Sequence, residues 1–329
     1  MKISVVIATY NGEDFIEKQL NSIKVQTLQP DEVLIYDDCS NDNTCRLVRE
    51  YIKNNQLASW KFKVNKQNLG YKKNFYQLLR AAAGDIIFLS DQDDQWLPQK
   101  IEVMTKAMNQ HPELESLNSL IQLIDQASNS VTLPAKPDFY NANFLHSKKS
   151  LERLNFFDWE KIIQRNISPG CSMCITKKIR DQFTAWYDYS LPHDWFLNLL
   201  AARTNGCGFL NEPLIQYRIH PQNTLGLSAD PGSAAKMKKF EKNRQEKIKE
   251  FSGLIQAFAN ITSHLAFEAG KKEHAKKYLH ARLNFYQKQN FTSLLKLRSF
   301  PEYYETATFK GRIWDIIIAS HLKRVFYNL

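Results

Sequence analysis

No run of apolar residues in this 329-residue chain reaches the ~20 needed to span a bilayer. The opening MKISVVIATYNG has one lysine and a short apolar stretch before it turns polar, which reads as a first strand rather than a leader. The Gly-Lys-Ser/Thr ending of a P-loop is missing, which disfavours ATPase and GTPase chemistry, and so is the G-x-G-x-x-G of dinucleotide binding. Cysteine is sparse, with five residues. Cys171-Ser-Met-Cys174 has zinc-like or redox-like spacing, but no second pair or nearby histidine completes a site. A structural role in a reducing, cytoplasmic setting is expected for these thiols. The chain has no internal repeat and no nucleic-acid module, so nucleic acid is not an expected partner.

What the chain does hold is a composition of 43% hydrophobic and 24% charged residues, as expected for a folded soluble protein with a large core. Its net charge of +10 is unevenly placed: from Asp230 onward there are 19 Lys and Arg against 9 Asp and Glu, while the first 229 residues balance. The basic excess belongs to the C-terminal part, where it can face an anionic surface.

Short apolar runs alternate with amphipathic stretches. Ile3 to Ala8 and Val33 to Tyr36 read as strands, residues 13–26 and 44–53 as helices, Lys61 to Val64 as a weaker strand. A helix then runs to Ala83, and Asp85 to Leu89 is the next strand. This alternation predicts an α/β fold with a mainly parallel, Rossmann-like sheet covered on both faces. Ligands of such sheets sit beyond the carboxyl ends of the strands. Thr9-Tyr10-Asn11, Asp37-Asp38, Asn68 to Gly70 and Asp91 to Asp94 all fall at that end. Asparagine and aspartate also make good turns, but four such loops at one edge together point to a site. The breaker-rich GLSADPGS, Gly226 to Ser233, marks a boundary. One domain is therefore expected over residues 1–228, with halves 1–115 and 116–228, and a basic helical region over 229–329.

The stretch LSDQDDQW places Asp91, Asp93 and Asp94 directly after a core strand. Like charges this close repel unless a cation shares the site. Asp93 and Asp94 are candidates for holding Mg²⁺ or Mn²⁺, with a diphosphate supplying further oxygen ligands. A metal-bound diphosphate makes a good leaving group, and the reaction then needs a base. Asp194, after Pro192-His193 and at the head of the helical run WFLNLLAA, is the candidate, with a plain helix cap as the alternative. His193 is either a partner of the acceptor or a surface histidine. Arg218 and His220 have the chemistry to grip phosphate and to ligate a metal.

These segments resemble glycosyltransferase family 2 enzymes of the GT-A fold, through VVIATYNG, IYDDCSNDNT, NLGYKKNF, GDIIFLSDQDDQW, LPHDWFLNLLAA and YRIHPQN over roughly residues 1–225. The resemblance implies an inverting sugar transfer from a nucleotide-sugar donor. Thr9, Tyr10, Asn11, Asp37, Asp38, Asn68, Gly70, Lys73, Asp93 and Arg218 would bind that donor. Asp94 and His220 would hold the metal, Asp194 would be the base, and Gly170, His193 and Trp195 would meet the acceptor. SDQDDQW together with HDW looks most like the bacterial L-rhamnosyltransferase branch, which implies dTDP-β-L-rhamnose as donor and a lipid-linked cell-wall or capsular glycan as acceptor. A UDP-hexose or UDP-N-acetylhexosamine donor stays open, as do a nucleotidyltransferase and a non-catalytic module that has kept the pocket.

The last segment has Trp314, Ile317, Ile318, Leu322, Val325 and Leu329 at roughly helical spacing, with Lys323 and Arg324 mostly elsewhere. It suits the surface of the cytoplasmic membrane leaflet, or packing on the catalytic domain or on another subunit of a homo-oligomer.

Overall fold

The structure, a computed structural model, describes residues 1–132, 143, 150–220, 233–307 and 309–320. The chain divides into two compact units, Met1–Gly226 and Leu227–Leu329.

The first unit starts β1 (Ile3–Thr9), α1 (Ile16–Lys24), β2 (Glu32–Asp37), α2 (Thr44–Asn54), β3 (Trp60–Val64), α3 (Tyr71–Ala81) and β4 (Ile86–Ser90). There follow β5 (Gln95–Trp96), α4 (Lys100–Gln110), β6 (Ser116–Ile124), β7 (Ser130–Val131), β8 (Leu154–Phe157) and α5 (Trp159–Ile162). It ends with β9 (Met173–Thr176), α6 (Lys177–Trp186), α7 (His193–Ala202) and β10 (Cys207–Arg218). The sheet runs β3-β2-β1-β4-β9-β6-β10-β5. Strands β3, β2, β1 and β4 pair in parallel, as do β6 and β10. The β-rich β1, β2 and β4 are near-continuous apolar runs because helices cover both their faces; Val5, Ile7, Val33, Ile35 and Phe88 are fully buried. Helix α1 turns Ile16, Leu20 and Ile23 onto this core.

The sheet is mixed rather than parallel throughout. Strand β9 lies between β4 and β6 and runs antiparallel to both. Its reversed direction puts its beginning, not its end, at the carboxyl edge of β4: Phe88 pairs with Cys174 and Ile86 with Thr176. Short β5, antiparallel to β10, ties the acidic loop to the end of that strand.

The second unit contains α8 (Ser233–His264), α9 (Ala269–Lys288), α10 (Phe291–Arg298), α11 (Pro301–Thr306) and α12 (Phe309–Ala319). Tyr278, Phe285, Leu294, Leu297, Tyr303 and Ile318 form a core. Asn290 and Ser293 cap α10 reciprocally, side chain to backbone. The tail residues Leu322 to Leu329 lie outside the described residues. Among the described residues no helix is long and apolar enough to cross a membrane.

Candidate active site

Asp37, at the end of β2, is fully buried and accepts from Thr9 Oγ1 at 2.8 Å and from Ser40 N and Oγ at 2.8 and 2.6 Å. The clamp fixes the β1 and β2 loops side by side. Asp38 accepts from the amides of Leu69 and Gly70 at 2.8 and 2.7 Å and from Asn65 Nδ2 at 3.0 Å, which pins the loop before α3. Gly70 has φ of +79°, a conformation that favours glycine. Asn68 Oδ1 also accepts from the Gly70 amide. Tyr10 stays exposed, while Gln92 accepts from its amide and donates to its carbonyl. Asn11 accepts from the amide of Asn41. Lys73 points its ammonium over the ring of Tyr189.

The acidic loop splits into two arrangements. Asp93 Oδ2 lies 2.8 Å from His220 Nε2, and the His220 ring packs on Phe15. Asp94, 1% exposed, accepts from the Arg218 amide through Oδ1 at 3.0 Å. His220, expected to hold the metal with Asp94, is bonded to Asp93, while the amide of Arg218, the last residue of β10, takes Asp94. The donor atoms of Asp91, Asp94 and Cys171 lie within 4.8 Å of one another. Burial first, then the charges of Asp93 and Asp91, hold the Asp94 carboxyl well above the usual carboxylate range. Burial likewise pushes the Cys171 thiol far up.

This set fits a divalent cation: two buried or half-buried carboxylates converge, with the Cys171 thiol beside Asp94. Sequence spacing missed Cys171, which meets Asp91 only through the antiparallel pairing of β9 with β4. It also missed Lys100. This fully buried ammonium donates to the Cys171 carbonyl at 2.6 Å and sits 4.0 Å over the Trp96 ring. Burial lowers its pKa to about 8, while Asp94 and Asp91 pull in the other direction.

Arg218 is buried, and its guanidinium donates to the carbonyls of Asp93, Asp125 and Gln126 and to Ser128 Oγ at 2.8 to 3.0 Å. Expected to grip phosphate, this guanidinium holds the main chain of two loops.

Asp194 opens α7, a helix buried along its whole length. Its Oδ1 accepts from the Trp195 amide and its Oδ2 from Asn166 Nδ2, both at 2.9 Å. Burial nevertheless raises its pKa to about 6. The neighbouring His193 is buried rather than at the surface, stacked on Phe75 at 3.9 Å, and burial lowers its pKa to about 3, so the ring is neutral. A Cβ on Gly170 would stand 2.8 Å from His193 Nε2 and 3.3 Å from Asp194 Cβ, so only glycine lets these groups close up. Trp195 turns inward and donates through Nε1 to the Ile162 carbonyl at 2.7 Å, which makes it a wall of the core.

Residues 4–178 match the family model described as glycosyl transferase family 2; Asp194, Arg218 and His220 lie beyond the match. The chain is 30% identical over 235 residues to the dTDP-rhamnosyl transferase RfbG of Shigella flexneri, covering 67% of this chain and 73% of that one. The solved structure of Staphylococcus aureus TarS 1–349 with UDP-GlcNAc is similar with a TM-score of 0.60 at 17% identity, over 91% of this chain and 79% of that one. Mannosyltransferase PcManGT from Pyrobaculum calidifontis with GDP-Man and Mn²⁺ gives a TM-score of 0.56 at 17% identity, over 97% and 84% of the two chains. With its acidic loop and more than half its length matched by the model, the chain belongs to glycosyl transferase family 2.

Proposed function

We propose that this chain transfers a sugar from a nucleoside diphosphate to an acceptor hydroxyl with inversion, Asp194 taking the proton. The observation that supports this reading is a second buried carboxyl standing next to the acidic cluster. Asp194, with its pKa near 6, packs against Gly170, the residue before Cys171 of the Asp91–Asp94 cluster.

The acceptor oxygen attacks the anomeric carbon, its proton passes to Asp194, and the bond to the diphosphate oxygen breaks with its electron pair on the leaving group. A carboxylate poised near neutrality suits that proton transfer. When bound, a divalent cation supplies Lewis-acid neutralisation of the departing diphosphate; Asp94 and Asp91, with Asp93 and His220 beside them, are the residues to hold it. Thr9, Tyr10, Asn11, Asp37, Asp38, Asn68, Gly70 and Lys73 shape the donor side, and His193 and Gly170 the acceptor side.

Two donors are in view. Similarity to a dTDP-rhamnosyl transferase supports dTDP-β-L-rhamnose. A UDP-hexose or UDP-N-acetylhexosamine is at least as well supported, since TarS, a β-N-acetylglucosaminyltransferase by name, is 34% identical over 96 residues, 29% of this chain and 16% of its own. The relatives single out no one branch. For the acceptor we propose a lipid-linked glycan reached from the cytoplasmic membrane face. Exposed Phe291 and Leu295 on α10 and Phe309, Ile313 and Ile316 on α12 offer apolar contact, set in a basic region. The deciding experiment is a donor screen by nucleoside diphosphate release, with and without Mn²⁺ or Mg²⁺. Metal-dependent release from one donor is expected; no release from any would overturn the assignment.

A further inference from the structure

Beyond His193 and Asp194 in its first turn, helix α7 is apolar except for Asn198, a fully buried amide in FLNLLAA. A buried amide costs about 1–3 kcal/mol when unsatisfied, so its partners matter. Asn198 Nδ2 donates to Asn166 Oδ1 at 3.2 Å and to Asn118 Oδ1 at 3.3 Å. Its Oδ1 accepts from Ser116 Oγ at 3.0 Å and Asn118 Nδ2 at 2.9 Å. Asn118, on β6, also donates to the Gly208 carbonyl of β10. A chain of three amides thus runs from the sheet to the loop before β9.

That chain ends on Asp194. Asn166 Oδ1 is taken by the Ile167 amide and Asn198 Nδ2, and its Nδ2 donates to the Ser168 carbonyl and Asp194 Oδ2. Rotating the amide by half a turn would set its oxygen against the Asp194 carboxylate and the Ser168 carbonyl, and its NH₂ against the Ile167 N–H. Every partner therefore selects the one orientation in which Asn166 donates to the base.

We propose that Asn166 is the positioning residue that aims Asp194 and favours its ionised form, and that Asn198 locks Asn166 in its donating orientation; this rests on Asp194 being the base. The pair acts through Asp194 and touches neither donor nor acceptor. A hydrogen bond to a carboxylate favours the charged form, so losing it raises the pH at which the base becomes competent.

The test uses the full chain with ¹³C in its aspartate carboxyls, the Asp194 signal being assigned by its loss in Asp194→Asn. In Asn166→Leu the Asp194 titration midpoint is expected to rise by about one unit, and in Asn198→Leu by less in the same direction. Asn166→Asp should give a two-step titration, as two carboxyls facing each other share protons. The acid limb of kcat/KM should follow, with about a tenfold loss at low pH that is recovered at high pH, while UDP and dTDP binding stay unchanged. An unmoved midpoint in folded Asn166→Leu, or a loss equal at every pH, overturns the proposal. If the leucine variant does not fold, Asn166→Gln, which displaces the amide, must shift the midpoint or the idea fails. Full transfer by Asp194→Asn would defeat the base reading instead, and the carboxyl titration would still decide the amide's effect.

Discussion

His220 Nε2 lies 2.8 Å from Asp93 Oδ2, joining the end of β10 to the acidic loop that follows β4. Groups that hold a metal-site carboxylate in place typically contribute 10- to 100-fold in affinity. His220→Ala should therefore weaken Mn²⁺ binding at least about tenfold, read by titration calorimetry in the presence of UDP; unchanged affinity would separate His220 from the metal.

Asp94→Ala should abolish metal-dependent turnover with every donor. Nucleoside diphosphate release is the measurement, and near-normal rates in that variant would remove Asp94 from the mechanism.

Asp194→Asn should keep nucleotide binding and lose transfer. Its stability should also change with pH in a defined sense. The native pKa near 6 stands above the unfolded value of about 3.9, so the unfolded chain releases its proton first and the wild-type carboxyl costs stability as pH rises from about 4 to 6. The variant should gain on the wild type by up to about 3 kcal/mol between pH 4 and pH 7. Parallel urea unfolding at both pH values checks this, and a constant difference would contradict it.

Arg218→Met should lower stability by about 3 kcal/mol or more, because three loop carbonyls lose a buried donor. Arg218→Lys should rescue little, since an ammonium lacks the planar fork that reaches several acceptors at once. Full stability in the methionine variant, by thermal unfolding, would restore a phosphate role for this side chain.

Phe309→Ser with Ile313→Ser should reduce flotation of the chain with anionic liposomes. Equal recovery of variant and wild type would rule these residues out of a membrane contact.

The alternation of apolar runs with amphipathic stretches was enough to read β1 through β4 and the edge at which Thr9, Asp37 and Asp91 meet, because period and turn chemistry are local. Cys171, Lys100 and Asn166 were not legible. Each reaches the site through pairing between distant segments, as when Cys174 comes to lie beside Phe88. Arg218 shows a second limit: a guanidinium suits a phosphate and a set of carbonyls equally, and only the packed loop decides between them. His193 likewise gave no sign that Phe75 would bury it.

Strand β9 also bears on how such a protein can be recombined. Residues 173–176 are hydrogen-bonded on one side to β4 and on the other to β6, so front and back share a single unbroken ladder. A chimera that swaps acceptor halves at a cut near residue 115 would carry β9 away with β6 and leave the edge of β4 to be matched by the incoming half. A donor module transplanted to a new acceptor scaffold must bring this four-residue seam with it.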